Sequence, residues 1–414
     1  MGLISGVYLI GMWTYTLGVK VASLFGGKAR LLNEGRKETW RKLAKYDNRE
    51  KCVWVHAASL GEFEQGRPII EAIRKANPGQ RIVLTFYSPS GYEVRKNYKE
   101  ADLVCYLPAD GPQNASRFVK AINPAKVYFV KYEFWHFFLK AIKEQGAELF
   151  GVSMIFRPEQ AFFKWWGGWF RDMLSRFDRI FVQDKESADL LMQKAGYSKA
   201  TVTGDTRFDR VAQIVADAAE VETARRFTEG ADKVVVAGST WPPDEKLITD
   251  YINKAPKGVK LIIAPHETEA ERIKGLCDSL EVPYSLFTQP QEDLGGCKVL
   301  VVNTIGLLSA IYRYADVTYV GGGFGVGIHN TLEPATYGLP VVFGPKHQKF
   351  KEAVDLVGCG GGFSISTKEE FDTTMDRLLK DDEARHKAGA AADAYCKSKL
   401  GATETILRET YTKK

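Results

Sequence analysis

Short apolar runs rich in valine, isoleucine and phenylalanine alternate along the chain with longer stretches of helical periodicity. From residue 52 onward the runs are spaced so that a helix fits between one strand and the next, which is the pattern of a parallel sheet with crossover helices. We therefore predict a doubly wound α/β domain in the first half of the chain. Its predicted strands are residues 52–56, 81–86, 103–106, 126–130, 148–153, 179–182 and 200–202.

The same pattern begins again after a polar stretch at residues 209–228, which we predict to be helical. Residues 382–411 then have a helical composition without further strand signals. We predict two α/β domains, at 26–215 and 216–390, that face each other across a cleft, and a helix at 391–414 that packs back on the first domain. The predicted strands of the second domain are residues 233–237, 260–264, 299–302, 317–320 and 340–343.

The N-terminal segment differs from the rest of the chain in charge. Residues 1–19 carry no charged side chain, whereas ten basic and only four acidic residues lie between Lys20 and Lys51, which accounts for the formal net charge of +6. Basic charge directly after an apolar segment is typical of attraction to anionic lipid headgroups, while a nucleic-acid binder more often spreads it over a folded domain. We therefore expect membrane lipids, and no nucleic acid, as partners.

We interpret residues 1–25 as a membrane anchor that either spans the bilayer or lies in its interface. A signal peptide is the alternative, although neither a basic leading region nor a clear cleavage site is present. Because the basic residues follow the apolar segment, we expect the body of the protein at the cytoplasmic face of the membrane.

Length and composition exclude several classes. A chain of 414 residues, 45% of them apolar, has enough core-forming residues for two folded domains. No P-loop motif occurs, and the loop after the first strand lacks G-x-G-x-x-G, so a P-loop NTPase or a nicotinamide dehydrogenase is not expected. The six cysteines form no C-x-x-C pair and have no histidine at ligand spacing, so we expect no metal site and no cofactor.

The loop after the first strand places a carboxylate where a ligand would lie. In open α/β sheets, ligands bind beyond the carboxyl ends of the strands, and Glu62 follows strand 52–56 there. Glu62 is a candidate general base, which requires a pKa near the working pH. The alternative is structural, because Ser59 and Glu62 have the spacing of a capping box, and a helix N-terminus would lower the pKa of the carboxyl.

A glycine-rich loop in the second domain is the clearest ligand signal. It runs from Gly321 to Gly327 after a predicted strand and leads into a helix, an arrangement in which backbone amides and the helix dipole hold a phosphate. Glu333, one turn into that helix, is suited to the hydroxyls of a ribose. The alternative is a tight loop whose only polar role is an N-cap by Asn330 or Thr331.

Two neighbouring loops point to the same edge of the second sheet. Ser239 and Thr240 end the first strand of this domain and offer hydroxyls to a phosphate, with a plain N-cap as the alternative. His266 ends the next strand, where it contacts either a ligand or only its own loop.

A further segment, residues 162–171, contains six aromatic and two basic side chains and suits either a membrane interface or a buried core.

Together these motifs resemble the family of transferases for 3-deoxy-D-manno-octulosonic acid (Kdo), and the likeness covers nearly the whole chain. The most specific segment is residues 327–334, which continues through Gly338 to Phe350. The resemblance implies a GT-B fold and an inverting, metal-independent transfer of Kdo from CMP-Kdo to the lipid A precursor at the cell inner membrane. The other matching segments are residues 58–62, Glu133 to Trp135, Val202 to Asp205, Phe208 with Asp209, and Gly238 to Thr240.

The resemblance also implies roles for individual residues. Glu62 would be the general base that deprotonates the acceptor hydroxyl, and Glu333 would hold the ribose of the donor. Arg157 matches an acceptor-side segment and would contact a lipid A phosphate, with a surface salt bridge as the alternative. The remaining donor-binding candidates are Gly238, Ser239, Thr240, His266, Gly322, Gly323, His329 and Asn330.

Two other functions stay open at this stage. One is a GT-B transferase or epimerase that uses a UDP-sugar. The other is a membrane-anchored protein that binds a nucleotide sugar without catalysing a reaction, which would leave three convergent loops unexplained.

Overall fold

The computed structural model describes residues 2–325 and 327–411. It divides into two compact units, one formed by Met1–Arg210 together with Leu400–Lys414, and the other by Val211–Lys399. We call these the N-terminal and the C-terminal unit. The division after Arg210 lies five residues before the predicted boundary at 215, and the chain returns to the N-terminal unit at Leu400 rather than at 391.

The N-terminal unit is built on a parallel sheet, which has seven strands among the described residues in the order β3-β2-β1-β4-β5-β6-β7. All seven strands predicted for this half are present, with ends that differ by two residues or fewer. The strands are β1 (Cys52–Ala57), β2 (Ile82–Phe86), β3 (Leu103–Tyr106), β4 (Pro124–Val130), β5 (Glu148–Met154), β6 (Arg179–Val182) and β7 (Ala200–Val202).

Helices cover both faces of this sheet, which is why its central strands consist of continuous apolar residues. The helices are α1 (Leu3–Ser23), α2 (Gly27–Leu43), α3 (Leu60–Ala76), α4 (Pro89–Arg95), α5 (Pro112–Ile122), α6 (His136–Glu144), α7 (Gly168–Ser175), α8 (Lys185–Ala195) and, at the C-terminus, α18 (Ala402–Thr410), with a 3₁₀ turn at Ala161–Phe163.

The C-terminal unit has the same design. Its sheet is parallel and has, among the described residues, seven strands in the order β10-β11-β9-β8-β12-β13-β14. The strands are β8 (Lys233–Thr240), β9 (Val259–Pro265), β10 (Tyr284–Leu286), β11 (Val299–Val301), β12 (Val317–Val320), β13 (Val341–Phe343) and β14 (Gly362–Ser364). The five predicted strands are confirmed, whereas β10 and β14 were not predicted.

The polar stretch predicted as one helix at 209–228 forms two. These are α9 (Arg207–Asp217) and α10 (Glu222–Thr228). The helix is interrupted where Val221 is buried and its amide donates to the Tyr314 hydroxyl at 2.9 Å, a partner outside the helix. The other helices of this unit are α11 (Pro242–Ile252), α12 (Ala270–Asp278), α13 (Leu308–Ile311), α14 (Leu332–Thr336), α15 (Lys351–Cys359), α16 (Lys368–Lys380) and α17 (Asp382–Lys397), with a 3₁₀ turn at Tyr312–Tyr314.

The C-terminal helix α18 packs on the N-terminal unit. Ile406 is fully buried in the core of that unit, and the Thr410 hydroxyl lies 2.8 Å from the Tyr128 hydroxyl of β4. Asp209 accepts hydrogen bonds from the amides of Gly401 and Thr403 at 2.7 Å each, which fixes the start of the helix. The last segment of the chain thereby covers one face of the first sheet.

The N-terminal segment forms a bent helix pair. Among residues 2–325 and 327–411, no helix taken alone has both the length and the apolar composition of a membrane span, but α1 and α2 together do, with a bend of 113°. One side of α1 contacts the N-terminal unit: the Tyr8 hydroxyl donates to Asp110 at 2.7 Å, and Ser5 lies within hydrogen-bond distance of His136 and Trp169. The other side is exposed.

Candidate functional site

Glu62 lies directly beyond β1, on the first turn of α3. The Ser59 hydroxyl accepts from the Glu62 amide at 3.5 Å, and one carboxylate oxygen of Glu62 accepts from the Ala58 amide at 2.6 Å. The Ser59 cap is therefore present, but the bond of Glu62 goes to the amide before the N-cap and not to the N-cap amide of a capping box. The second carboxylate oxygen has no hydrogen-bond partner in the described part of the chain, so capping occupies only part of this group.

The surroundings of Glu62 raise the pKa of its carboxyl above the ordinary value. Burial is the largest cause, followed by the negative charge of Glu133, and together they outweigh the Ala58 amide, His56 and Lys131. The helix N-terminus alone would have lowered this pKa. A carboxyl whose pKa is shifted toward neutral pH has the property that a general base requires.

Glu133, just beyond β4, belongs to a segment that matches the family, but the sequence analysis gave it no role at the site. Its side chain is buried and its Oε2 atom accepts from the Trp135 indole at 2.6 Å and lies 2.9 Å from His56 Nε2. His56 Nδ1 lies in turn 2.8 Å from the Thr85 hydroxyl. A search for carboxylates after every strand, rather than after the first, would have found Glu133.

Arg157 lies beyond β5, at the same edge of the sheet as Glu62 and Glu133. Its side chain is exposed and has no carboxylate partner in the described part of the chain. Burial raises the pKa of the neighbouring Tyr132, and the positive charge of Arg157 opposes that rise. The surface salt bridge considered as its alternative role is absent from the described residues. Whether Arg157 contacts an acceptor stays a prediction.

In the C-terminal unit, the predicted donor-binding residues lie at the carboxyl ends of three adjacent strands, β9, β8 and β12. Ser239 has a φ of +54°, at a register shift between Gly238 and Thr240 where the end of β8 leaves the regular ladder. A strained backbone of this kind often occurs at a ligand site. Thr240 is different, because its buried hydroxyl donates to Glu245 at 3.0 Å and is occupied within the protein.

Three glycines at the predicted donor site, Gly238, Gly322 and Gly323, are needed for protein packing. A Cβ atom on Gly238 would collide with the Tyr312 hydroxyl, and one on Gly323 would lie 2.6 Å from the backbone of Gly344. Gly322 has a φ of +93°, and a Cβ there would lie 2.5 Å from the Gly327 carbonyl. The missing side chains thus bring protein segments together, and they do not by themselves create space for a phosphate.

Asp244, on α11, holds this loop in place. Its carboxylate is fully buried and accepts from the Gly322 amide at 2.9 Å, from the Trp241 amide at 2.9 Å and from the Tyr319 hydroxyl at 2.7 Å. The Gly322 amide is therefore not available to a phosphate, which corrects the bare-amide interpretation at that residue. The sequence signal for Asp244 is the helix start Trp241-Pro242-Pro243-Asp244, with proline at the first helical positions and an acid at the third.

Three rings lie together at this edge. The Trp241 indole donates to His329 Nε2 at 3.0 Å, with the two rings at an interplanar angle of 11°, and His266 stacks on both, with ring centroids 4.8 and 4.4 Å away. Because an indole only donates, His329 Nε2 must be unprotonated, and the neutral ring carries its proton on Nδ1. Burial and the neighbouring His266 lower the pKa of His329, which agrees with a neutral ring that donates through Nδ1.

Glu333 is half-buried near the start of α14 and its carboxylate is held by two side chains. Asn330 donates to one oxygen at 2.8 Å and the Ser309 hydroxyl donates to the other. Asn330 also caps the helix, since its side-chain oxygen accepts from the Leu332 amide at 3.1 Å. The sequence offered Asn330 as an N-cap and Glu333 as a ribose contact, but it predicted neither the hydrogen bond between them nor the contact with Ser309. No cluster of three metal-ligating side chains is found among residues 2–325 and 327–411.

The amino-acid sequence is similar to those of known transferases. Residues 35–210 match the family described as 3-deoxy-D-manno-octulosonic-acid transferase (kdotransferase). The 3-deoxy-D-manno-octulosonic acid transferase of Aquifex aeolicus (strain VF5) is 27% identical over 339 residues, which cover 80% of this chain and 87% of that protein. The transferase of the same name from Bordetella pertussis is 27% identical over 376 residues, which cover 86% of each chain. Over most of its length, the chain is similar to Kdo transferases.

The resemblance that the motifs indicated is thereby confirmed, and members of the Kdo transferase family are glycosyltransferases. Among solved structures, the UDP-GlcNAc 2-epimerase from Neisseria meningitidis, bound to UDP-GlcNAc, matches with a TM-score of 0.62 and 16% sequence identity, over 87% of this chain and 99% of that chain. At this level of identity the similarity concerns the fold alone. The chain thus shares its α/β fold with this epimerase.

Proposed function

We propose that this protein transfers Kdo from CMP-Kdo to the lipid A precursor in lipopolysaccharide biosynthesis, as an inverting GT-B glycosyltransferase. The family supports this assignment. The observation that carries it is the state of Glu62, a carboxyl with a raised pKa and one unoccupied oxygen in the segment that matches the family. No metal or other cofactor is part of the proposed reaction.

In the proposed reaction, the N-terminal unit binds the acceptor and the C-terminal unit binds the donor. Glu62 takes the proton from the acceptor hydroxyl as its oxygen attacks the anomeric carbon of Kdo. The bond from that carbon to the phosphate oxygen breaks, and CMP leaves on the opposite face, so the configuration inverts. Glu333 binds the ribose, and His266, His329, Ser239 and Asn330 contact the phosphate and the sugar acid. His329 donates through Nδ1 without adding a net charge.

Mass spectrometry of the product formed by the purified protein from CMP-Kdo and tetra-acylated lipid A precursor tests this function. We expect the acceptor mass to increase by one or more Kdo residues, with release of CMP. In parallel, CMP should raise the melting temperature of the protein and UDP should not, because a ligand stabilises the state that binds it. Stabilisation by UDP alone would favour a UDP-sugar enzyme, and binding of CMP-Kdo without any product would favour the non-enzymatic alternative.

The negative charge of Glu133 should determine the pH at which kcat/KM declines on the acid side of its pH profile. Glu62 must be ionised to act, and its pKa is raised in part by Glu133, so activity falls as the pH decreases through that raised pKa. Glu133→Gln removes the negative charge, lowers the pKa of Glu62 and should move the acid limb of kcat/KM to lower pH. A pH profile of the variant tests this. An acid limb that stays in place would show that Glu133 does not control Glu62.

We further propose that the protein binds the cytoplasmic face of the inner membrane through α1. The polar contacts of α1 with the N-terminal unit, made by Ser5 and Tyr8, lie on one side of the helix. A helix held in this way is suited to lie in the plane of the interface, with its apolar side toward the lipid. The apolar face of α1 consists of Leu3, Ile4, Val7, Ile10, Trp13, Leu17 and Val21, which are 51 to 87% exposed.

The aromatic segment after β5 adds to this surface. Trp165 is 92% exposed and Trp166 is 52% exposed, whereas Phe162 is buried in the core and Trp169 donates to Ser5 of α1. Both interpretations of residues 162–171 therefore apply, each to different side chains. Exposed tryptophans are typical of the headgroup region of a bilayer.

The double substitution Ile10→Gln and Leu17→Gln should release the protein from vesicles of phosphatidylglycerol. Each aliphatic side chain contributes about 1.5 to 3 kcal/mol when it is buried, so we expect a loss of at least about a hundredfold in vesicle affinity, measured by flotation. The control is Val94→Gln with Met192→Gln, two exposed apolar residues of the same unit that lie outside α1. Equal loss of binding in both double variants would contradict a role of this face.

A further inference from the structure

Helix α2 is fixed against β3 over several residues. The Thr39 hydroxyl donates to the Tyr106 carbonyl and the Lys42 ammonium donates to the Val104 carbonyl, each at 3.0 Å. Gly35 permits the close approach, because a Cβ atom there would collide with the Tyr106 ring. The residue that follows, Arg36, is therefore held at the carboxyl end of β3, the edge of the sheet at which Glu62 lies.

Arg36 is set apart from the other arginines of α2. Arg30 pairs with Glu34 at 2.9 Å and Arg41 pairs with Glu38 at 3.1 Å, all four at the surface. Arg36 has no carboxylate partner in the part of the chain that the structure describes, and its Nη2 atom is buried without a hydrogen-bond acceptor. A half-buried guanidinium without a carboxylate partner carries an uncompensated charge, which points to an anionic ligand at its accessible side.

The position of Arg36 is determined by contacts that leave part of its guanidinium free. Its Nε donates to the Leu107 carbonyl at 3.2 Å, and the guanidinium carbon lies 4.9 Å from the centre of the Tyr87 ring. These contacts orient the planar group without neutralising its charge. Nη2 is buried, whereas Nη1 has no hydrogen-bond partner in the described part of the chain and is not among its buried unpaired atoms, so Nη1 remains available to an anionic ligand.

A row of aromatic rings connects Arg36 with the carboxylates. Tyr87 stacks on Trp135 with centroids 4.6 Å apart and an angle of 19°, and the Trp135 indole donates to Glu133, whose charge acts on Glu62. Tyr15 of α1 stacks on Tyr87 with centroids 6.3 Å apart. These aromatic rings thus lie between α1, the proposed membrane contact, and the neighbourhood of Glu62, the proposed base. Their faces are flat and apolar.

We propose that Arg36 binds a phosphate group of the glycolipid acceptor, at a subsite whose wall is formed by Tyr87 and Trp135. This inference rests on the proposed function. The guanidinium supplies a charged donor through Nη1 that a phosphate monoester accepts, and the aromatic rings supply a surface for the adjoining sugar. The acceptor headgroup would then be anchored by its phosphate on one side while its free hydroxyl reaches Glu62.

The test compares two acceptors, the bisphosphorylated lipid A precursor and the same lipid after removal of its phosphates. Arg36→Gln should raise KM for the phosphorylated acceptor about tenfold or more, since a charge-assisted hydrogen bond contributes about 1.5 to 3 kcal/mol. It should leave KM for the dephosphorylated acceptor and for CMP-Kdo unchanged. Arg36→Lys, which keeps the charge, should recover part of the loss. Arg41→Gln is the matched control on the same helix and should change none of these constants.

The outcomes separate the possible roles. Equal effects of Arg36→Gln on both acceptors would mean that Arg36 only supports the fold, and no effect on either would also overturn the proposal. A loss of flotation with phosphatidylglycerol vesicles, together with unchanged KM values in detergent, would assign Arg36 to bilayer phosphates instead. If the unsubstituted protein transfers Kdo to neither acceptor, the proposed function itself is wrong and this inference falls with it.

Discussion

Glu62→Gln should abolish Kdo transfer while CMP-Kdo still binds. Loss of a general base typically reduces kcat by a factor of about 10² to 10⁴. The donor-binding candidates belong to the C-terminal unit, whereas Glu62 belongs to the N-terminal unit, so the affinity for CMP-Kdo should be unchanged. Single-turnover product formation and a calorimetric titration with CMP-Kdo measure the two quantities separately.

The stability of the Glu62 variant distinguishes catalysis from capping. The side-chain oxygen of glutamine still accepts from the Ala58 amide, so the melting temperature should change little. Glu64→Gln is the control, since Glu64 lies on the same helix and its partly buried side chain pairs with Arg95 at 3.0 Å. If Glu62→Gln lowered the free energy of unfolding by about 1 kcal/mol or more while activity survived, the role of Glu62 would be structural.

The strands were predictable from sequence because most of them are buried on both faces. Val53, Trp54 and Val55 are almost fully buried, so β1 appears in the sequence as a continuous apolar run between polar segments. Strands β10 and β14 have three residues each, and β14 contains the single large apolar residue Phe363. Such short strands are stabilised by their neighbours in the sheet, which the local sequence does not reveal.

The position of the candidate site was predictable for a similar reason. In a parallel α/β sheet, the loops that bind ligands lie at the carboxyl ends of the strands, so Glu62, His266 and Gly322 could be placed on topology alone. The protonation states of these side chains could not be predicted from the sequence. The raised pKa of Glu62 depends on burial and on Glu133, which is 71 positions away in the sequence. The tautomer of His329 depends likewise on one hydrogen bond from Trp241.

Asp244 is a positioning residue that was not predicted from the sequence. It lies on a helix and contacts no proposed substrate atom, yet it accepts hydrogen bonds from a residue of β12, from the glycine-rich loop and from the start of its own helix. The amide of Gly322 lies 78 positions away in the sequence. A positioning residue of this kind becomes visible only when every buried donor is assigned its acceptor.

Asp244→Ala should unfold or loosen the donor site, and Asp244→Asn should largely preserve it. The alanine variant leaves the Gly322 and Trp241 amides and the Tyr319 hydroxyl without their acceptor in a fully buried position. Each unsatisfied group costs about 1 to 3 kcal/mol, so we expect a loss of about 3 kcal/mol or more, and a melting temperature lower by about 6 to 12 °C. Binding of CMP should weaken as well, because Trp241 then no longer holds His329.

Asparagine separates hydrogen bonding from charge. Its side-chain oxygen accepts from both amides in place of Oδ2, and its NH2 group donates to the Tyr319 hydroxyl, which reverses its own role from donor to acceptor. Thermal unfolding and CMP titration of both variants measure the effect, with Asp250→Ala on the same helix as the control. If Asp244→Asn were as damaging as Asp244→Ala, the negative charge of Asp244 would matter more than its role as an acceptor, and if neither variant weakened CMP binding, the loop would not depend on Asp244.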